Sequence, residues 1–259
     1  MIESFIPSPV KTNRDVLIFE FEDGRVMVIG CDSAGGIGPK PLDKIRVDGY
    51  TIGRFTARVA LMEVLSTGAK PICIIDTLSV EPEPTGIEII EGIKDEARWA
   101  GLDPNLALSG SSEKNIQVEQ TGIGVTAIGI TRKELLKIGI SKPRDAVVAI
   151  GVPCVGDEVI PAEEERKIAE TSDLLKLLDL DFIHEIIPVG SEGVAYEIEI
   201  IARGSNLKFK LADRLKIDVK KSAGPATVII ASLPDSKLTK LSTIVNKPIN
   251  IVGHLSRSK

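Results

Sequence analysis

Residues 51–80 read TIGRFTARVALMEVLSTGAKPICIIDTLSV, and this stretch decides the fold class. From Thr51 to Thr67 the apolar residues Ile52, Phe55, Val59, Met62 and Leu65 recur at helical spacing, and Gly68 is a stop. PICIIDTLSV, from Pro71, then reads as a buried strand. Upstream, VLIFEFEDG and RVMVIGC read as two strands joined by the turn Asp23-Gly24. Downstream, 85–100 reads as a helix closed by Gly101, with LALSG and GIGVTAIGIT as further strands around the polar segment SSEKNIQVEQT.

A second half begins at Lys142-Pro143-Arg144. DAVVAIGVP, FIHEIIPV, ATVIIASL and INIVGHL read as strands, with shorter ones around Lys208 and Ile217. Helices are expected over 161–178, 194–202 and from Asp235 to Leu241. Strands and helices alternate without a strict βαβ rhythm, so the class is α+β in two lobes, 1–141 and 142–259.

The chain has 259 residues, enough to bury a sizeable core. At 43% hydrophobic and 27% charged it is not disordered. With 32 Lys and Arg against 37 Asp and Glu, the net charge of -5 argues against a nucleic-acid partner. No apolar run reaches the ~20 residues that span a bilayer, and the N-terminus lacks a signal-peptide pattern, so no membrane association and a cytoplasmic location are expected. Cys31, Cys73 and Cys154 lie in or beside apolar runs and read as buried thiols. Aromatics are only 3% and there are 2 histidines, so chemistry must lean on carboxylates, backbone amides and bound metal.

Five segments can carry that chemistry. The loop 31–48 contains Asp32, an oxygen ligand for a divalent cation, and Gly35, Gly36 and Gly38, whose amides can approach an anion. Lys40 adds a point charge. The alternative is a plain turn. On the helix, Glu63 sits among apolar residues and either reaches an edge or faces a site, while Arg54 and Arg58 form an i,i+4 pair that binds phosphate or is simply solvated. Gly110-Ser111-Ser112-Glu113 ends a strand in hydroxyl and carboxylate groups suited to metal and phosphate. KSAGPAT (221–227) and PVGSEG (188–193) offer amides and hydroxyls, or are capping turns. His184 and His254 adjoin apolar strands and read as packed or capping residues.

In order along the chain, CDSAGGIG, GRFTARVALMEVLSTGAKP, ALSGSSE, TGIGVT, IIPVGSEGVAYE and KSAGPATVIIAS resemble one superfamily. It holds aminoimidazole ribonucleotide synthetase, thiamine-monophosphate kinase, selenophosphate synthetase and the hydrogenase-maturation dehydratase. The phrases look most similar to alpha-ribazole kinase and its uncharacterised relatives. The resemblance implies an ATP-binding α/β lobe that dimerises through barrel-forming strands, and an α+β C-terminal lobe. It implies Mg2+ or Mn2+ and ATP as cofactors, a small hydroxylated or phosphate-containing substrate, and a homodimer.

Carried over by position, Asp32 matches a metal-binding aspartate, Glu63 a helix aspartate, and Glu113 falls near the aspartate of a Gly-Gly-Asp segment. Asp15 stands near an N-terminal acidic pair, here reduced to one acid after Asn13 and Arg14, and the kinases' helix asparagine is Ala60. The implied metal set is Asp15, Asp32, Glu63 and Glu113. The implied cofactor contacts are Gly35, Gly36, Gly38, Lys40, Arg54, Ser111 and Ser112, with Lys40 and Asp32 catalytic. Three activities fit: an ATP-dependent kinase acting on a ribosyl-type hydroxyl, a metal-dependent phosphohydrolase, and a non-catalytic nucleotide or metabolite sensor.

Overall fold

A computed structural model describes residues 6–257 as a mixed α+β chain in two compact units. The first comprises residues up to Val10, Val16–Leu65 and Ala69–Lys133. The second comprises Lys11–Asp15, Ser66–Gly68 and residues from Glu134 onward. Lys11–Asp15 joins the second unit because the buried Arg14 guanidinium donates there to Ser66 Oγ (2.6 Å) and to the Ile186 carbonyl (2.8 Å).

The first unit is built on a six-stranded sheet. Its strands are β1 (Ser8–Val10), β2 (Leu17–Glu20), β3 (Arg25–Gly35), β6 (Lys70–Leu78), β7 (Leu108–Ser112) and β8 (Gly122–Arg132), in the order β1-β2-β3-β8-β6-β7. β6 and β7 are parallel and the other pairs antiparallel. β1 and β7 are edges, so the strands form no closed barrel among the described residues. The expected turn at Asp23-Gly24 is present: Gly24 has φ 79°, and Asp23 Oδ1 accepts the Arg25 N–H at 3.0 Å. β3 runs to Gly35, so Asp32 lies in a strand and not in the loop expected from the sequence. A small pair follows, β4 (Ile37–Gly38) with β5 (Ile45–Arg46).

α1 (Gly49–Ser66) covers one face of this sheet and α2 (Ile87–Trp99) packs on α1. Position 30 is tight for anything larger than glycine, since a Cβ there would stand 3.0 Å from the Ala60 carbonyl oxygen and from Glu63 Cβ. Ile52, Phe55, Ala57, Ala60, Leu61, Met62, Val64 and Leu65 are all buried, a wider apolar face than the expected stripe. Burying each large aliphatic side chain contributes roughly 1.5–3 kcal/mol over leaving it in water. The one-turn α3 (Pro104–Ala107) leads into β7.

The sheet's other face is half-open. Leu17, Ile29, Ile128 and Cys73 are register partners across β2, β3, β8 and β6, and Ile72 and Ile75 are also exposed. Cys31 is exposed and Cys73 half-buried, so only Cys154 is the buried thiol expected, because strand alternation turns residues 31 and 73 to the open face.

The second unit has a five-stranded antiparallel sheet. It contains β9 (Asp145–Gly151), β10 (Glu185–Pro188), β11 (Leu207–Leu211), β12 (Val228–Pro234) and β13 (Ile249–Arg257), in the order β10-β12-β9-β13-β11. Every residue of β9 is buried, so both sheet faces are covered. Val147, Ala149, Ile187, Val228 and Ile230 form a core with Val194, Ile198 and Ile201 of α6 (Val194–Gly204). The helix expected over 161–178 is two, α4 (Val159–Glu164) and α5 (Thr171–Leu178). Arg166 takes φ 57° between them and buries Ile168 and Ala169, which an unbroken helix could not do. α7 (Leu238–Ile244) precedes β13, and no strand forms at Ile217. Among the described residues no helix is long and apolar enough to cross a membrane.

Candidate functional site

Four strands of the first unit end together. β3, β6 and β7 finish, and β8 begins, at one edge of the sheet, and register aligns their last residues in rows. Asp32, Val125, Asp76 and Gly110 form one row. Ser33, Gly124, Thr77 and Ser111 form the next, then Ala34, Ile123, Leu78 and Ser112. Directly opposed residues share a face, so Asp32 and Asp76 flank Val125 on the face that carries α1. The first and third sequence candidates, about 78 residues apart along the chain, are thus brought to one edge through β8 and β6.

Asp76 was not among the sequence candidates. It is only 3% exposed, and burial pushes its carboxyl up from 3.8 to about 6, against the pull of its own backbone N–H. A Cβ at Gly110 would overlap its carboxyl group. The available signal was an acid in an otherwise apolar strand, ICIIDTL.

The glycine-rich segment is fastened to the same edge. The Gly36 N–H donates to the Thr121 carbonyl (2.9 Å). Asp43, buried, accepts the Thr121 N–H (2.8 Å), the Thr121 hydroxyl (2.7 Å) and the Lys40 N–H (2.8 Å). Gly38 has φ 147° and closes onto the Thr121 side chain, where a Cβ would clash. Lys40 Nζ donates to Glu81 Oε2, and Glu81 Oε1 accepts the Thr85 hydroxyl at 2.5 Å. Burial raises the Glu81 carboxyl, but Lys40 and Thr85 together hold it below its ordinary value.

Other candidates fall elsewhere. Glu113 turns back on its own loop: its Oε1 accepts the N–H groups of Asn115 (2.6 Å) and Ile116 (3.1 Å), which lower its pKa. Glu63 is buried on α1 beside Gly30. Arg58 is buried 3.5 Å from Glu96 and stacks on Phe55, so it is not the solvated or phosphate-facing residue expected. Arg54 lies over the Phe55 ring (4.6 Å) and near Trp99 (5.9 Å). Asp15 belongs to the second unit, exposed, next to buried Arg14. Within the first unit, Asp32 lies on β3, Glu63 on α1 and Glu113 in the loop after β7. Among the described residues no three His, Cys, Asp or Glu side chains are placed to hold a metal.

In the second unit the turns 188–193 and 221–227 meet, with the Ala223 N–H donating to the Gly190 carbonyl (3.1 Å). Gly193, at φ 80°, leads α6 without a side-chain cap, so Ser191 is not the cap the alternative reading gave it. Glu197 on α6 is pushed up to about 7, first by burial and further by Asp15 and Glu192, with Arg14 opposing. His184 and His254 each face an aspartate, Asp145 at 2.7 Å and Asp235 at 2.9 Å.

Comparison with known proteins came out as follows. Residues 13–131 match the family described as AIR synthase related protein, N-terminal domain. No curated protein matches the chain by sequence. Thiamine-monophosphate kinase from Stenotrophomonas maltophilia superposes with a TM-score of 0.63 at 16% identity, over 97% of this chain and 90% of that one. A HypE–HypF complex gives 0.67 at 19%, over 95% and 88%. AaThiL complexed with AMPPCP and TMP gives 0.65 at 11%, over 95% and 85%. At these identities the likeness is one of fold, and it extends over both units.

Proposed function

We propose that the protein is an ATP-dependent phosphotransferase that moves a phosphoryl group onto a hydroxyl of a small metabolite. One observation carries the reading: the strand ends bring Asp32 and Asp76 to one face of one sheet edge, with the Gly35–Gly38 segment and Lys40 fastened beside them and Ser112 two rows on, while Ser111 lies on the other face. A fold shared over nearly the whole chain with a thiamine-monophosphate kinase supports it, as does the likeness to AaThiL complexed with AMPPCP. A ribosyl-type hydroxyl as acceptor, as in alpha-ribazole kinase, is the finer proposal and rests on the sequence phrases alone.

The donor set fits Mg2+. The edge supplies oxygen ligands, and Asp76 is a buried acid that a cation would keep ionised. Mg2+ is commonly held by one or two carboxylates plus substrate phosphates and not by an all-protein cage, which suits a site with two carboxylates in a row. Asp32 and Asp76 would hold it, and when bound it neutralises charge on phosphate oxygens. The chain's own groups do the rest. N–H groups of the glycine segment donate to phosphate oxygens, and the Lys40 ammonium offsets negative charge that develops during transfer. Asp43 holds the Lys40 backbone still, so its side chain swings from a fixed point. Catalysis of this kind is positioning and electrostatics.

We further propose a homodimer through the open face of the first sheet, supported by the row Leu17, Ile29, Ile128 and Cys73. The test of the activity is ADP release from ATP across a panel of hydroxylated metabolites, with Mg2+. Substrate-dependent ADP is the expected result. No ADP with any acceptor, together with no nucleotide binding, overturns the kinase. Phosphate release without an acceptor selects the hydrolase instead.

A further inference from the structure

Lys40 does not wait at the sheet edge as a bare cation. Its ammonium is joined to Glu81 Oε2, and the other Glu81 oxygen accepts the Thr85 hydroxyl. Three features make this pair exchangeable. The Lys40 backbone is fixed, its N–H on Asp43 and Asp43 on Thr121, so only the side chain needs to move. The Glu81 side chain is 32% exposed and keeps Thr85 as a partner when Lys40 leaves, so no carboxylate is stranded in a dry interior. Lys40, at 15% exposed, is shielded enough that its partner matters electrostatically.

From these contacts we propose that Glu81 is a specificity-determining residue, setting the charge a ligand must carry to take Lys40 from it and so selecting polyphosphate over monophosphate. A monophosphate, at about −1.5 to −2 near pH 7, replaces the carboxylate on the ammonium one for one and must also displace it. A polyphosphate chain brings several charges and several acceptor oxygens, and can take Lys40 together with N–H groups of the glycine segment other than that of Gly36, which Thr121 holds. The inference rests on the reading of this edge as a phosphate site, and names what that site prefers.

The experiment is calorimetric titration of the full chain with inorganic phosphate and with pyrophosphate, for wild type, Glu81→Gln and Lys40→Met. Gln keeps a carbonyl for Thr85 while removing the charge. Wild type is expected to prefer pyrophosphate strongly. Glu81→Gln should bind inorganic phosphate about tenfold more tightly and gain less for pyrophosphate, so that selectivity falls. Lys40→Met should weaken pyrophosphate binding and abolish the effect of Glu81→Gln in the double variant. Circular dichroism melts establish that each variant is folded. If Glu81→Gln leaves selectivity within twofold of wild type, or the double variant still gains phosphate affinity, the proposal is overturned. Selectivity unmoved with ADP release intact sinks this inference alone. A selectivity shift as expected, with no ADP from any acceptor, sinks the kinase and leaves this inference standing.

Discussion

The carboxyl group of Asp76 occupies the space in which a Cβ at Gly110 would stand, so parallel β6 and β7 close over a buried acid only because residue 110 has no side chain. Gly110→Ala forces the acid or the edge strand to move. Overpacking of this kind costs about 1–3 kcal/mol, to be measured by urea denaturation. Mg2+-dependent nucleotide binding should fall at the same time. A stable Gly110→Ala chain with unchanged nucleotide affinity would remove Asp76 from the site.

Burial raises Asp76 to about 6 and Glu197 to about 7, from 3.8 and 4.5. A raised carboxyl binds its proton more tightly in the folded chain than in the unfolded one. Its contribution is therefore complete below the unfolded value and is lost as pH rises through the folded value. For Asp76 the window runs from about 3.8 to 6, and for Glu197 from 4.5 to about 7. Stability of the ligand-free chain should decline across pH 4 to 7 through these two groups. Asp76→Asn should flatten the lower part of the decline and be at least as stable as wild type at pH 7. Urea midpoints at half-unit pH steps check it, and an unchanged slope in Asp76→Asn contradicts it.

Asp43 accepts three donors, two from Thr121 and one from Lys40. Asp43→Ala orphans all three inside the fold and should destabilise by about 3 kcal/mol. Thr121→Val removes only the hydroxyl and should cost about 1 kcal/mol. Equal losses in the two variants would show that Asp43 does not organise the glycine segment.

Arg14 is buried against Glu185 at 3.6 Å, and Glu185 also accepts Ser141 Oγ (2.9 Å), Ser205 Oγ (3.2 Å) and the Gly139 N–H (3.1 Å). Removing the arginine alone leaves a buried carboxylate and should cost about 3–5 kcal/mol. Arg14→Met with Glu185→Gln should cost less than the two single changes added together. Strict additivity in chemical denaturation would mean that the pair is not coupled.

The open sheet face predicts self-association. Leu17→Lys with Ile75→Lys, both at exposed positions, should convert a dimer to a monomer in sedimentation while leaving the melting temperature little changed. Wild type that sediments as a monomer at micromolar concentration contradicts the proposed dimer.

Local signals carried the hairpin at Asp23-Gly24, α1 and its stop at Gly68, and the strands of both units, because turn glycines and apolar periodicity are written within a few residues. Asp32 and the glycine segment stood out in the sequence because special residues cluster at a strand end, but that Asp32 lies inside β3 did not. Asp76 was not, since its meaning depends on Gly110, which is distant in sequence and adjacent only through strand pairing. Arg58 misled for a similar reason. Its position on the helix surface reads as solvated until Glu96 on α2 is packed against it. The break at Arg166 was hidden because the flanking residues are good helix formers, and burial of Ile168 and Ala169 overrides that preference.

Gly30 has a consequence for how the chain avoids folding wrongly. β3 and β8 pair over Arg25–Gly35 with no interruption, and long regular ladders tolerate sliding. A one-residue slip would turn Asp32 away from Asp76 and present Ser33 in its place. A two-residue slip would keep the faces but bring Val28 or Asp32 beneath Ala60. The space under that turn of α1 is tight even for a Cβ, so a shifted pairing that brings a side chain there crowds the helix backbone. Gly30 thus acts as an indexing pin. A larger residue there would press on α1 and bear on the alignment of Asp32 with Asp76 through β3.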